Sequence, residues 1–168
     1  MVIRERAEVP VLFPQAEYEF KGLEDPRIVK IEDTYYLSYT AFNGINALGA
    51  LATSKDLVHW EKHGIIVPEI TYEEFKHFTE TDSTGHEKYL RFNDYQKSHQ
   101  SQERKIFLWD KNLIFFPRKI DNKFCFLHRI KPDIQIVVAI EKLEDLTNSF
   151  MIRMTRFSRM HMLSCLNN

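Results

Sequence analysis

The chain has 168 residues, of which 43% are hydrophobic and 13% aromatic, and its formal net charge is −1. This length predicts a single domain with enough apolar side chains to fill a core. A balanced charge creates no field that would attract nucleic acid or an anionic membrane, so neither is expected as a partner. Residues 1–8 are charged, and no stretch approaches the ~20 apolar residues that span a bilayer, so we expect a cytoplasmic protein.

The first predicted elements are short strands separated by polar turns. Residues 27–31 and 34–40 are apolar and aromatic, and the two-residue gap Glu32-Asp33 between them is typical of a β-hairpin. An apolar run at 47–52 and a polar turn leading to Trp60 follow. Four short strands in about forty residues are the size of one propeller blade. We therefore expect an antiparallel sheet over 22–63.

The pattern of strand, turn and strand occurs a second time. Residues 30–35 match residues 119–124 at an offset of 89, and an apolar strand and a charged turn follow both segments. Repetition of this kind is typical of propeller blades. It predicts a second antiparallel sheet over 111–148.

A polar insertion at about 70–111 separates the two predicted sheets. Thr71 and Glu74 have the spacing of a capping box, which predicts a short helix at its start. Residues 86–102 are dense in charged and amide side chains and predict a surface excursion. Residues 151–168 contain no sequence motif typical of a turn and show no regular spacing of apolar side chains. This pattern predicts a separate C-terminal tail.

The segment from Gly22 to Arg27 carries the most chemistry. Gly22 frees the backbone, and Pro26 restricts Asp25 to an extended conformation. Asp25, beside Glu24 and Arg27 at the entrance to a strand, is a candidate acid with a pKa tuned for proton transfer. The alternative is an Asp-Pro turn with an ordinary ion pair.

A second candidate group is cationic. Lys119 lies at the end of one predicted strand, and His128 and Arg129 close the next. Cations on adjacent strands can converge on one anion, and arginine offers two parallel donors to phosphate or carboxylate. The alternative is a set of solvated edge charges that prevent pairing with other strands.

Other conspicuous side chains favour structural roles. Cys125 stands in an apolar run and is expected to be a buried thiol. The histidines share no ligand spacing, so we expect no metal and no cofactor. Five aromatic residues are predicted to pack in the core and across strands: Tyr35, Tyr36, Tyr39, Phe124 and Phe126.

Four motifs in register resemble glycoside hydrolase family 130. They are Gly-Leu-Glu-Asp-Pro-Arg at 22–27, Tyr-Tyr-Leu-Ser-Tyr-Thr at 35–40, the run at 50–60, and Phe-Pro-Arg-Lys-Ile at 116–120 with Leu-His-Arg at 127–129. The resemblance covers about 9–148. It favours the functional interpretation of both candidate groups.

The resemblance implies a five-bladed β-propeller with a sugar site in its central cavity. It implies inverting phosphorolysis or hydrolysis of β-mannosidic bonds, with a mannose-containing oligosaccharide and, for a phosphorylase, inorganic phosphate as co-substrate. Asp25 matches the family's general acid, and Lys119, His128 and Arg129 match basic positions that the phosphorylases use around phosphate. Arg27 is a further candidate for the same pocket. Because phosphate itself is the nucleophile, the cations favour phosphorolysis over hydrolysis.

The chain is short for that architecture. Five blades of ~40 to 45 residues need far more than 168 residues. We therefore expect an all-β, incomplete propeller of about two blades over 1–150, with a partly helical insertion, that is too short for activity on its own. The alternative function is carbohydrate or partner binding by an inactive, truncated propeller.

Overall fold

The computed structural model describes residues 6–81, 105–131 and 134–138. Four strands follow a single 3-10 turn at Glu17–Glu19 and pair in chain order as an antiparallel meander. The strands are β1 (Gly22–Ile31), β2 (Thr34–Phe42), β3 (Ala47–Ser54) and β4 (Glu61–Ile65). This is the antiparallel sheet expected over 22–63.

A helix, α1 (Tyr72–Thr81), follows the first sheet. Its N-terminus has the capping box expected from the sequence: the Glu74 carboxylate accepts from the Thr71 amide at 2.8 Å, and the Glu74 amide donates to Thr71 Oγ1 at 3.2 Å. The two bonds satisfy backbone donors that the first helical turn leaves without partners. The surface excursion predicted at 86–102 lies outside the described residues.

The second sheet is an antiparallel meander of three strands: β5 (Asp110–Phe115), β6 (Cys125–Ile130) and β7 (Gln135–Val138). Asp121 and Asn122 have positive φ angles of 49° and 58° in the turn between β5 and β6. Such angles suit a tight hairpin, and short polar side chains tolerate them best. The end of the second predicted sheet, 139–148, and the tail at 151–168 lie outside the described residues.

The two antiparallel sheets, expected as separate units, join into one seven-stranded sheet in the described part of the chain, where β5 runs beside β3. Leu48 and Asp110 are partners in a parallel bridge, and buried Ser38 donates from Oγ to the Leu113 carbonyl at 2.6 Å. A β-carbon at Gly49 would overlap the Leu113 side chain, so only glycine permits this approach. The contact fixes β5 against the first sheet.

The main core lies between the sheets. It joins β2 and β3 residues such as Tyr36 and Leu51 to Phe115 and Phe126 of the second sheet. The predicted packing roles of the aromatic residues hold, since Tyr36, Tyr39, Phe124 and Phe126 are buried and Tyr35 is half-buried. Cys125 is buried, as expected.

The described residues are mostly β-sheet with one α-helix, in agreement with the expected all-β class. None of their helices combines the length and the apolar character needed to cross a bilayer.

Candidate active site

Asp25 lies in a bulge of β1. Glu24 is the partner of Thr40 and Arg27 is the partner of Ser38, so two residues of β1, Asp25 and Pro26, face a single residue of β2. Pro26 has no amide proton to donate to the ladder, which accounts for the interruption. The extended conformation predicted for Asp25 is wrong: its φ is 50°, in the left-handed region, because the bulge turns the chain there, and aspartate tolerates this region better than most residues.

The bulge presents a charged surface to solvent. Glu24, Asp25 and Arg27 are all exposed. The Arg27 guanidinium donates to the Pro26 carbonyl at 2.9 Å, so it folds back on the bulge. Among the described residues, no hydrogen bond or ion pair engages the Asp25 carboxylate, which leaves it available to a bound molecule.

His128 forms a buried pair with Asp110. The His128 Nδ1 atom lies 2.7 Å from Asp110 Oδ1, and the two residues are 4% and 1% exposed. The second carboxylate oxygen of Asp110 is buried and has no hydrogen-bond partner within the described part of the chain. The pair fixes the orientation of the imidazole ring between the sheets rather than at an open surface.

Arg129 lies on the opposite face of β6, because consecutive strand residues point to opposite faces. Its partner across the ladder is Lys111, and its Nη2 atom donates to Asn112 Oδ1 at 3.3 Å. Arg129 Nε is buried without a hydrogen-bond partner among the described residues. Burial, and then the positive charges of Arg129 and Lys111, lower the pKa of Lys131. Lys111, Arg129 and Lys131 therefore form one cationic cluster.

The strand register relates this cluster to Asp25. Partners run from Leu23 through Ala41 and Leu48 to Asp110 and Ile130, in one row across both sheets. Asp25 stands two residues past this row on β1, and Lys111, His128 and Arg129 stand one or two residues past it on the same side. Asp25 therefore stands on the same side of this row as Lys111, His128 and Arg129, whereas Lys131 stands one residue to the other side.

Lys119 lies at the other end. Its Nζ atom is 3.0 Å from Glu32 Oε1, in the turn that follows β1. About six extended residues separate Asp25 from Glu32 once the bulge is discounted, a distance of roughly 20 Å at ~3.3 Å per residue. The structure therefore gives Lys119, His128 and Arg129 three different partners, and brings only His128 and Arg129 to the end of the sheets that holds Asp25.

Sequence reasoning missed four polar residues near His128 and Arg129: Asp110, Lys111, Asn112 and Lys131. The alternation of faces along β6 could have separated His128 from Arg129. The bulge at Asn112, whose φ is 60°, changes the register of β5 and has no signal in the sequence. No group of three or more His, Cys, Asp and Glu side chains could hold a metal ion in residues 6–81, 105–131 and 134–138.

A buried ionic cluster behind β2 was also missed. Glu19 is 0% exposed, and its carboxylate accepts from the Tyr39 hydroxyl at 2.6 Å and from Lys62 Nζ at 2.5 Å. Burial alone would raise the pKa of Glu19, but hydrogen bonds from Lys62, Tyr39 and the Gln15 amide, with the Lys62 charge, outweigh it and lower the pKa. Burial and the adjacent Glu19 raise the pKa of Tyr39.

Comparison with known proteins places the chain in a class of carbohydrate-active enzymes. A protein-family model described as beta-1,4-mannooligosaccharide phosphorylase matches residues 2–94, which include the Asp25 motif. The match extends over more than half of the chain. The chain belongs to glycoside hydrolase family 130.

Two characterised relatives are similar in sequence. A 1,2-beta-oligomannan phosphorylase from Thermoanaerobacter sp. (strain X514) is 32% identical over 146 residues, which cover 85% of this chain and 35% of that protein. A beta-1,2-mannobiose phosphorylase from Listeria innocua is 28% identical over 123 residues, covering 73% of this chain and 23% of that protein. The chain thus spans about a third or less of the length of these relatives.

Solved structures agree on the fold. The Listeria innocua beta-1,2-mannobiose phosphorylase, in complex with beta-1,2-mannobiose, aligns with a TM-score of 0.50 and 26% identity, over 79% of this chain and 28% of that one. A glycosyl hydrolase from Bacteroides ovatus aligns with a TM-score of 0.53 and 20% identity, over 80% of this chain and 33% of that one. The second likeness concerns the fold alone.

Proposed function

We propose that this chain carries part of the site for inverting phosphorolysis of β-mannosidic bonds in mannose-containing oligosaccharides, with Asp25 as the general acid. The observation that carries the proposal is the exposed Asp25 carboxylate on its strand bulge, inside the segment that matches the family. A proton donor must be free to approach the leaving glycosidic oxygen or a sugar hydroxyl near it. The names of the relatives, which are phosphorylases of mannosides, support this class of substrate.

The cationic cluster supports phosphate as the nucleophile. Lys111 and Arg129 stand on the same side of the register row as Asp25, and Lys131 is near enough to both for their charges to lower its pKa. Arg129 can present its guanidinium to a phosphate, and bound phosphate would offset the repulsion among these partly buried cations. Arg27, beside Asp25, can approach the same anion. His128 lies on the opposite face of β6 and is paired with Asp110, so in this proposal it fixes the strand that carries Arg129 rather than contacting phosphate. Lys119, which the resemblance assigns to phosphate, is paired with Glu32 and lies outside the proposed phosphate site.

Phosphorolysis and hydrolysis need different groups. An inverting hydrolase requires a second carboxylate to activate water, placed about 6.5–9.5 Å from the acid. A phosphorylase requires cations that hold phosphate, and these are the groups that the second sheet brings to the Asp25 end. For this reason we favour phosphorolysis over hydrolysis.

In this proposal the two sheets are two blades of a five-bladed β-propeller. A four-stranded antiparallel meander is the unit of such a fold, and three strands of a second meander follow it. Strand β1 would line the central channel, which accounts for its exposed residues. α1 would belong to an insertion between the blades.

A second candidate function is binding of carbohydrate or of a protein partner without catalysis. It is favoured by the share of the relatives that the chain spans, about a third or less. Such a chain would keep the charged surface around Asp25 but would lack the catalytic groups that the rest of the longer relatives supplies.

The test is activity on β-1,2- and β-1,4-mannobiose, with and without inorganic phosphate. The length of the chain predicts no activity on its own, whereas the proposal that Asp25 and the cations form a working site predicts mannose 1-phosphate from the unmodified chain. Asp25→Asn should then lower the rate about 10²- to 10⁴-fold, the usual contribution of a positioned proton donor. Glu24→Gln is the matched control, since it removes a neighbouring exposed carboxylate, and it should keep most of the rate. Free mannose without phosphate would indicate hydrolysis, and sugar binding without turnover would indicate the second candidate function.

A further inference from the structure

The buried cluster of Glu19, Tyr39 and Lys62 lies directly behind the Asp25 bulge. Because Glu24 pairs with Thr40 and Arg27 with Ser38, Tyr39 is the one β2 residue opposite Asp25 and Pro26. Its side chain is 1% exposed, and its hydroxyl ends on Glu19 at 2.6 Å. The residue that supports the bulge is thus tied to a carboxylate on the segment before β1.

The cluster connects three parts of the chain. Lys62 of β4 donates to Glu19 at 2.5 Å and to the Phe13 carbonyl at 2.7 Å, and the Gln15 amide donates to Glu19 at 2.9 Å. Segment 13–19, β2 and β4 are therefore joined through one fully buried carboxylate. Charge-assisted hydrogen bonds of this kind hold a geometry closely when all members have partners.

The bulge needs such support because β1 provides little of its own. In the described part of the chain β1 pairs with β2 alone, and the bulge interrupts that ladder. Asp25 has a left-handed backbone that persists only where its surroundings determine it. The position of its carboxylate consequently depends on the β2 backbone at Tyr39.

We propose that Glu19 is a positioning residue for Asp25: its carboxylate accepts from the Tyr39 hydroxyl through one oxygen and from Lys62 through the other, and so fixes the β2 backbone on which the catalytic bulge rests. The inference rests on the proposed role of Asp25, but its structural part stands apart from activity. Glu19 is buried behind the sheet and Asp25 is exposed at its edge, so Glu19 acts through Tyr39 rather than through contact with substrate.

The decisive variant is Tyr39→Phe, which removes the hydroxyl and keeps the ring in the core. Its matched control is Tyr35→Phe, which removes a hydroxyl near the other end of the same strand. Hydrogen exchange and amide chemical shifts of residues 22–31 are measured on the full chain. We expect amide exchange in this segment to be at least about 10-fold faster in Tyr39→Phe, with the largest shift changes at Asp25 and Arg27, and little change in the control.

Kinetics provide the second measurement. Tyr39→Phe should lower kcat on the mannobioses about 10-fold and leave KM within about 2-fold, because the acid is displaced while sugar contacts remain. Glu19→Gln should have the same effect if it folds. The inference is overturned if Tyr39→Phe and Tyr35→Phe give the same exchange and shifts. If the unmodified chain shows no turnover, the proposed function fails, but the exchange measurement still tests whether Tyr39 and Glu19 fix the Asp25 bulge.

Discussion

An aspartate on a left-handed bulge residue is placed differently from one on a regular strand. In a regular strand the Asp25 side chain would point to one face of the sheet, where neighbouring side chains surround it. The bulge turns it out of that alternation, and Pro26 prevents the ladder from closing over it. The same two residues therefore decide both the backbone and the exposure of the acid.

Lys119 and Arg129, both sequence-based candidates for binding phosphate, differ in the partners that they have within the chain. The Lys119 ammonium is bound to Glu32, whereas Arg129 has a neutral amide, Asn112, as its partner. We expect Arg129→Met to raise the KM for phosphate at least about 10-fold, since an arginine-phosphate contact involves charge-assisted hydrogen bonds. Lys119→Met should raise it less than about 2-fold. Initial rates at varied phosphate and saturating mannobiose provide the comparison, and equal effects of the two changes would contradict the assignment.

Local signals in the sequence were sufficient at some residues and insufficient at others. The capping pair Thr71 and Glu74 was predicted because both partners lie within one turn of helix. Glu19 and Lys62 are 43 residues apart in the sequence. The residues on either side of Lys62 are polar, and nothing in them indicates that this lysine binds a buried carboxylate. Long-range electrostatic pairing follows from the tertiary fold, so residue patterns alone cannot supply it.

At the scale of elements, the junction of β3 and β5 depends on one glycine. Gly49 faces the Leu113 side chain, and Leu113 also receives the Ser38 hydroxyl on its carbonyl. The sequence predicted both sheets, because hairpin turns and alternation are local. It does not predict their junction, because nothing in the apolar run at 47–52 indicates that Gly49 packs against Leu113.

Gly49→Ala should therefore destabilise the chain by about 1–3 kcal/mol, the usual cost of adding a methyl group to a packed core. Leu113→Ala alone should cost about 2–5 kcal/mol through the cavity that it leaves. Urea unfolding of both variants and of the double variant measures their coupling.

Because alanine at 113 makes room for the new methyl group, the double variant should be less destabilised than the sum of the two single variants. If the destabilisation of the double variant equals the sum of the two single variants, Gly49 and Leu113 are not in energetically significant contact.

For the whole molecule, the buried Glu19 links stability to pH. The pKa of Glu19 is lower in the folded chain than its ordinary value, so Glu19 stabilises the fold above that ordinary value. This contribution is lost as the pH falls below about 4.5, the ordinary pKa, and through the lower pKa of the folded chain, because the unfolded chain then binds the proton more readily.

We expect the free energy of unfolding of the unmodified chain to fall more steeply between about pH 5 and pH 3 than that of Glu19→Gln, which cannot titrate there. Urea unfolding at several pH values gives both curves. Parallel curves for the two proteins would mean that Glu19 does not contribute to acid unfolding.

Pro26 also affects how copies of the chain behave toward one another in concentrated solution. A long strand at the margin of a sheet is a template on which another chain can add a strand and begin a fibril. Among the described residues β1 pairs with β2 alone, and the bulge at Asp25 and Pro26 breaks the regular spacing of backbone groups along this strand. The feature that presents the acid thereby also works against self-association through this strand, so replacing the proline would endanger solubility as well as turnover.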